Sequence, residues 1–158
     1  LHDLNLGSLR DNISLVREAE ILNVSIADNV SIGRDLSFNQ IRTALTQVGL
    51  LELISTLPNG LQTPLLHNGE PLNADQQLRL TLARAIVGAP KLLMIDKTLD
   101  HIDSRYLTGI LAGLLAPDTG WSLIIIIQQA EVIQRCQHHA RIVNGQLQKL
   151  IADSEVIQ

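Results

Sequence analysis

Residues 72–86 read LNADQQLRLTLARAI and predict the helix around which the chain is organised. Asn73 precedes the helical pattern and Gln76 stands three residues further on, which is a capping-box-like start. Four apolar residues recur at helical spacing and predict one apolar face: Leu78, Leu82, Ala85 and Ile86. Pro90 then ends the helix, because proline has no N–H group with which to continue it.

Residues 90–96 read PKLLMID and predict a strand directly after this helix. The continuous apolar run from Leu92 to Ile95 is typical of a strand that is buried on both faces of a parallel sheet. Asp96 follows at the carboxyl end of this strand. Because open α/β sheets bind ligands at the carboxyl ends of their strands, Asp96 is a candidate site residue.

The composition is that of a folded chain. Of its 158 residues, 46% are hydrophobic and 18% are charged, which favours a globular domain over disorder. The net charge of -4, without a Lys/Arg cluster, argues against nucleic acid as a partner. The single Cys136 excludes an intramolecular disulfide. The longest apolar run, residues 123–127, is far shorter than the roughly 20 residues of a membrane helix.

The remaining chain alternates predicted strands, helices and turns. Strands are predicted at residues 13–16 and 122–127, the second of them buried, and helices at residues 37–53 (divided at Gly49), 103–115 and 131–138. Asn144-Gly145 between two apolar runs predicts a hairpin. The first residue is Leu rather than Met, so we expect the chain to be a piece of a longer protein or a trimmed product.

The helix, the strand and its terminal carboxylate resemble the signature motif and Walker B strand of an ABC-transporter nucleotide-binding domain. That family has Leu-Ser-Gly-Gly-Gln, then a helix with Leu-Ala-Arg-Ala, then a strand ending in Asp-Glu. The matching positions here are Leu72, Gln76, Arg79, residues 82–85 and Asp96. Weaker matches lie at residues 9–18, 21–33, 57–69, 99–100, 124–129 and 144–145, and they are similar to export-type members.

The resemblance implies an α/β fold of the P-loop NTPase-like ABC ATPase type, present in part. Residues 1–158 would form a partial nucleotide-binding domain with a parallel core sheet and helices. A helical subdomain at about residues 26–76 would be inserted between core strands. The resemblance also implies ATP and Mg²⁺ as cofactors.

The phosphate-binding positions of the family are missing or altered. A P-loop needs Gly-rich backbone followed by Lys and Ser/Thr, and no stretch of the sequence supplies it. Arg17 stands at the Q-loop position, where the family has Gln. A guanidinium is a donor only, so it cannot bind magnesium, although it can bind phosphate. The alternative is a solvated charge beside Glu18 and Glu20.

The signature positions would, by this resemblance, face the γ-phosphate of ATP held by an opposing subunit. They are Asn73, Ala74, Asp75 and Gln76. Ala74 adds a Cβ atom and Asp75 a negative charge where the family has Gly. At about 5 Å the repulsion of a phosphate charge is about 3 kcal/mol at an effective dielectric near 20. Alternatively, Asp75 only stabilises the helix N-terminus.

The catalytic positions are also altered. Asp96 keeps the place of the family's magnesium-side carboxylate, or it caps the next turn. Lys97 replaces the catalytic Glu; its ammonium cannot accept a proton from water, but it can pair with Asp96 or Asp100. Asp100 matches the D-loop, or is a turn residue. Gln129 replaces the switch His and cannot titrate near neutral pH.

A zinc site is not predicted from the sequence. Cys136, His138 and His139 are close together, but no second Cys or His pair stands at zinc-finger spacing. Neighbouring His residues also rarely point at one metal ion.

These observations predict a degenerate ATP-binding domain of an ABC-type export transporter. It would be catalytically impaired, with a structural or regulatory coupling role at the cytoplasmic face of the membrane. Its partners would be the transporter's transmembrane domain and a second nucleotide-binding domain, in a homodimer or heterodimer. Two alternatives stay open: an ATP-hydrolysing subunit whose P-loop lies upstream of this chain, and a non-enzymatic interaction module that keeps only the fold. Without the front strands, apolar sheet surface would be exposed, so we expect self-association or marginal stability.

Overall fold

The computed structural model describes residues 12–152, with side chains described up to residue 148. In chain order its elements are β1 (Ile13–Val16), α1 (Ile26–Ser31), α2 (Phe38–Gln47), α3 (Leu51–Thr56), a 3₁₀ turn (Gly60–Gln62), α4 (Ala74–Val87), β2 (Leu92–Asp96), a second 3₁₀ turn (Thr98–His101), α5 (Ser104–Leu114), β3 (Ser122–Ile126), α6 (Ala130–Ile133), β4 (His138–Val143) and β5 (Gln146–Ala152). The small parallel sheet with helices agrees with the predicted α/β class.

Helix α4 lies at the centre of the part formed by residues 12–126. The predicted capping box is confirmed: Asn73 Oδ1 accepts from the Gln76 N–H, and Gln76 Oε1 accepts from the Asn73 N–H, both at 2.9 Å. Every residue from Arg79 to Ile86 is buried, so the buried surface of the helix extends well beyond the single apolar face that the sequence predicts. The helix is enclosed because it packs against α1, α2 and β1.

Strands β1, β2 and β3 form a parallel sheet in that order, which confirms the predicted parallel sheet. Leu93 and Ile95 of β2 are fully buried on one face. On the other face Leu15, Ile124 and Ile126 are 52%, 51% and 53% exposed. The prediction of strands buried on both faces is therefore wrong for this face. Apolar content alone indicated burial, but the alternation of exposure shows that packing covers one face.

Helices α2 and α3 are separate, as Gly49 between them predicted. Gly49 has a φ of +66°, a conformation that glycine adopts without strain. A Cβ atom at this position would lie 2.9 Å from Cδ1 of Tyr106. The turn therefore needs glycine both for its backbone and for the close approach of α5.

The described residues from 127 to 152 belong to a second compact unit. The predicted hairpin is confirmed: β4 and β5 pair antiparallel around Asn144-Gly145, whose φ angles are +50° and +75°. Helix α6 is shorter than predicted, because His138 already belongs to β4. Across residues 12–152, no helix is long and apolar enough to cross a membrane. The proposed subdomain boundaries at about residues 26 and 76 stay predictions.

Candidate functional site

An open groove of about 720 Å³ lies where β1 and β2 end and α4 begins. It is lined by Arg17, Glu18, Ala19, Glu20, Ala74, Gln77, Leu78, Asp96, Lys97 and His101. The groove brings together four positions that the sequence selected, namely Arg17, Ala74, Asp96 and Lys97. Four other polar residues of its wall have no function assigned from the sequence: Glu18, Glu20, Gln77 and His101.

Arg17 and Asp96 form an ion pair at the ends of neighbouring strands. The register pairs Val16 with Ile95, so the next residue of each strand lies beside the other. Arg17 Nε is 3.6 Å from Asp96 Oδ2, and the two side chains are 67% and 29% exposed. At this exposure the pair contributes about 0–1 kcal/mol to stability. The pair nevertheless places a guanidinium beside the carboxylate that, by the family resemblance, would lie on the magnesium side of the site.

Lys97 does not neutralise Asp96. Among the residues that the structure describes, Asp96 forms its ion pair with Arg17 of the neighbouring segment, so the predicted pair of Lys97 with Asp96 is not formed. The alternative pair of Lys97 with Asp100 stays a prediction. Lys97 itself has a φ of +57°, and its N–H donates to the Ile126 carbonyl at 2.8 Å.

The groove residues fit a magnesium ion poorly. Mg²⁺ requires near-octahedral oxygen ligands at short distances. In residues 12–148 no group of three His, Cys, Asp or Glu side chains is arranged to hold a metal ion. The one carboxylate at the strand end, Asp96, faces the guanidinium of Arg17. The donor set for the cofactor implied by the resemblance is therefore incomplete in this part of the chain.

The signature positions are engaged within the chain. Asn73 and Gln76 bond each other's backbone N–H groups in the capping box. The carboxylate of Asp75 binds Arg79 on one oxygen and the Asp103 N–H on the other. Ala74 alone of these four residues lines the groove. The predicted phosphate repulsion by Asp75 assumed a carboxylate without internal partners, and the structure gives it two.

Arg79 is the cation of this arrangement, and its side chain is 2% exposed. We call Asp75, Arg79, Asp103 and Tyr106 the carboxylate junction. Arg79 Nη2 is 2.7 Å from Asp75 Oδ2, and its guanidinium lies 3.8 Å from the centre of the Tyr106 ring. The family resemblance indicates Arg79 only as a matching position and does not predict this role. The signal was an Asp four residues before an Arg in a helix.

Further hydrogen bonds hold the loop of residues 17–25, here called the Arg17 loop, to the rest of the structure. Thr98, fully buried, donates through Oγ1 to the Arg17 carbonyl at 3.1 Å. The Glu20 N–H donates to Thr81 Oγ1 on α4 at 3.2 Å. The groove wall is thus tied both to the turn after β2 and to α4.

A second anchor of this loop is the buried pair Asn29 and Arg84. Arg84 donates to the Asn29 carbonyl at 2.7 Å and to its Oδ1 at 2.8 Å. Asn29 in turn donates to the Leu22 carbonyl at 2.9 Å. Burial lowers the pKa of Arg84 from its ordinary value, while Glu20 raises it. Through Asn29, these contacts connect the Arg17 loop to Arg84 on α4.

Two further selected positions are not among the residues that line the groove. Asp100 is half-buried in the 3₁₀ turn Thr98–His101. Gln129 precedes α6 in the second compact unit. The roles that the resemblance gave them stay predictions.

The sequence of this chain is similar to those of known proteins. The chain is 32% identical to an ATP-dependent lipid A-core flippase from Dechloromonas aromatica, over 99% of this chain and 27% of that protein. It is 30% identical to ABC transporter B family member 6 from Arabidopsis thaliana, over 99% of this chain and 11% of that protein. The homologues of this chain are ABC exporters. No family model matches it.

A solved structure shares the fold of this chain. A bacterial Atm1-family ABC exporter with ATP bound superposes with a TM-score of 0.84 at 24% identity. The match covers 93% of this chain and 26% of that one. The chain therefore spans about a quarter, or less, of the length of the relatives it matches.

Proposed function

We propose that this chain is part of a degenerate nucleotide-binding domain of an ABC-type export transporter, with a P-loop NTPase-like core. Its role is structural or regulatory coupling rather than ATP hydrolysis. It acts at the cytoplasmic face of the membrane, beside a transmembrane domain and a second nucleotide-binding domain. The homology to exporters supports the transporter assignment.

The ion pair of Arg17 with Asp96 is the observation that carries the proposal of impaired catalysis. In an ATP site with magnesium, the carboxylate at the strand end needs a metal ion nearby. Here a guanidinium stands 3.6 Å from it. Because Arg17 can neither bind a metal ion nor accept a proton, the pair leaves Asp96 without a catalytic partner.

The charges of the groove support the same conclusion. Three carboxylates line it, from Glu18, Glu20 and Asp96, against the two cations Arg17 and Lys97. Nucleotide phosphates are strongly negative, so this wall offers them no net attraction. Lys97 adds an ammonium where a base for the attacking water is needed.

The surface around the Arg17 loop supports docking to a transmembrane domain. Leu22, Val24 and Leu66 are 45%, 40% and 50% exposed. The two segments that carry these side chains adjoin, because the Leu65 N–H donates to the Val24 carbonyl at 3.0 Å. Exposed apolar side chains on a structured turn are typical of protein contacts.

A thermal-shift comparison tests the proposal. The melting temperature of the chain is measured with MgATP, with ATP plus a chelator, and with MgCl₂. Nucleotide and metal are each at about 5 mM, a concentration that would fill most of a weak site with a Kd of about 0.5 mM. The Asp96→Asn variant is the matched control. We expect no rise in melting temperature under any condition. A rise with MgATP that Asp96→Asn abolishes would show a working site and favour an ATP-hydrolysing subunit.

A further inference from the structure

Asp75 is bound on both of its oxygens by groups that normally bind anions. Its Oδ2 accepts from Arg79 Nε at 2.8 Å and lies 2.7 Å from Nη2, a two-point contact. Its Oδ1 accepts from the Asp103 N–H at 2.8 Å, at the first turn of α5. The carboxylate thus joins α4 to α5 across 28 residues of sequence.

The guanidinium of Arg79 depends on this carboxylate for its counter-charge. Nη1 donates to the carbonyls of Val48 and Gly49, at 3.1 and 2.8 Å, and these carry no formal charge. The other nearby carboxylate, Asp103, is held by Arg105 at 2.7 Å. The Arg79 side chain is 2% exposed, so without the Asp75 carboxylate its buried charge would destabilise the fold unless another anion took that place.

We propose that Arg79 and the Asp103 N–H form a small anion site that the chain fills with its own Asp75. When the Asp75 carboxylate is removed, the site accepts a small external carboxylate such as formate. In the native chain Asp75 keeps external anions out of the carboxylate junction and holds α4 to α5. This inference goes beyond the proposed function and does not depend on whether ATP is bound.

The test uses the Asp75→Ala variant of the full chain, with Glu52→Ala as control. Glu52 is an exposed acid in the first turn of α3, so its removal changes charge equally without touching the junction. Sodium formate is titrated at constant ionic strength while the amide signal of Asp103 and the Nε–H signal of Arg79 are followed by NMR.

We expect saturable shifts of both signals in Asp75→Ala, and none in the native chain or in Glu52→Ala. Formate should also raise the melting temperature of Asp75→Ala by roughly 2–4 °C. Absence of both responses in the folded variant would overturn the proposal, as would equal shifts in the native chain.

If Asp75→Ala does not fold, Asp75→Ser replaces it. Its shorter side chain also removes the carboxylate from Arg79 and leaves room for formate between Arg79 and the Asp103 N–H. The Arg79 Nε–H signal must then respond to formate, and an unresponsive signal would overturn the proposal.

Discussion

Asp96 ends β2 and Arg17 directly follows the adjacent parallel strand β1, with Arg17 Nε 3.6 Å from Asp96 Oδ2. The sheet register creates this contact, since Val16 pairs with Ile95. A cation therefore occupies the carboxyl end of the central strand, the place where open α/β sheets bind ligands. In the proposed function this pair replaces a metal-dependent site.

Replacing Arg17 should change stability little. We expect Arg17→Gln to shift the free energy of unfolding by less than about 1 kcal/mol, because both side chains are partly or largely exposed. Urea denaturation followed by circular dichroism measures this difference. Arg135→Gln, an exposed position in the second unit, is the control. A loss above about 2 kcal/mol would mean that the pair holds the fold rather than the site.

Replacing Arg79 should be far more damaging. Arg79→Met removes a buried cation that binds Asp75, Val48 and Gly49, and we expect a loss of about 3–5 kcal/mol. Arg42→Met is the matched control, because Arg42 is exposed on α2 and contacts the ring of Phe38 at 5.7 Å. Denaturant midpoints compare the two. Similar midpoints would contradict the central place of the carboxylate junction.

We expect the carboxyl group of Asp103 to have an unusually low pKa. Its hydrogen bonds from the side chain and backbone of Arg105 lower the pKa of this carboxyl from 3.8 to about 2. Since folding lowers this pKa, the stabilisation is complete above pH 3.8 and is lost as the pH falls through about 2. NMR titration of the Asp103 carboxyl carbon tests the value.

In Arg105→Gln we expect the pKa of Asp103 to rise toward 3.8, because the charged donor is gone. An unchanged low pKa in that variant would show that other groups cause the shift.

The open face of the parallel sheet should drive self-association. Leu15, Ile124 and Ile126 expose about half of their side chains on this face. We expect the chain to sediment with a concentration-dependent mass, and Ile124→Thr to weaken the association. Ile142→Thr is the control, since Ile142 is also exposed, at 72%, but lies on the β4–β5 hairpin. A concentration-independent monomer would contradict this prediction.

Local features were predictable from the sequence because neighbouring residues determine them. Asn73 and Gln76 fix the start of α4, Gly49 divides two helices, and Asn144-Gly145 makes the hairpin turn. Each depends on backbone N–H groups or φ angles within a few residues. The parallel strands also followed from their apolar runs.

Features that depend on distant residues were not predictable. The apolar run of β3 indicated burial, yet Ile124 is half exposed, since periodicity does not reveal whether a second layer covers a sheet. Asp75 was interpreted as a charge facing phosphate because its partner Asp103 lies 28 residues away. Arg17 was compared with its neighbours Glu18 and Glu20, whereas its partner is Asp96 on another strand.

Calorimetric titration of the folded chain with MgATP into the millimolar range decides whether the groove binds nucleotide. The Arg17–Asp96 pair and the acidic groove predict no saturable heat, with circular dichroism confirming that the protein is folded. Saturable binding of MgATP would contradict the proposed function, because the groove would then hold a working phosphate site despite the pairing of Asp96 with Arg17.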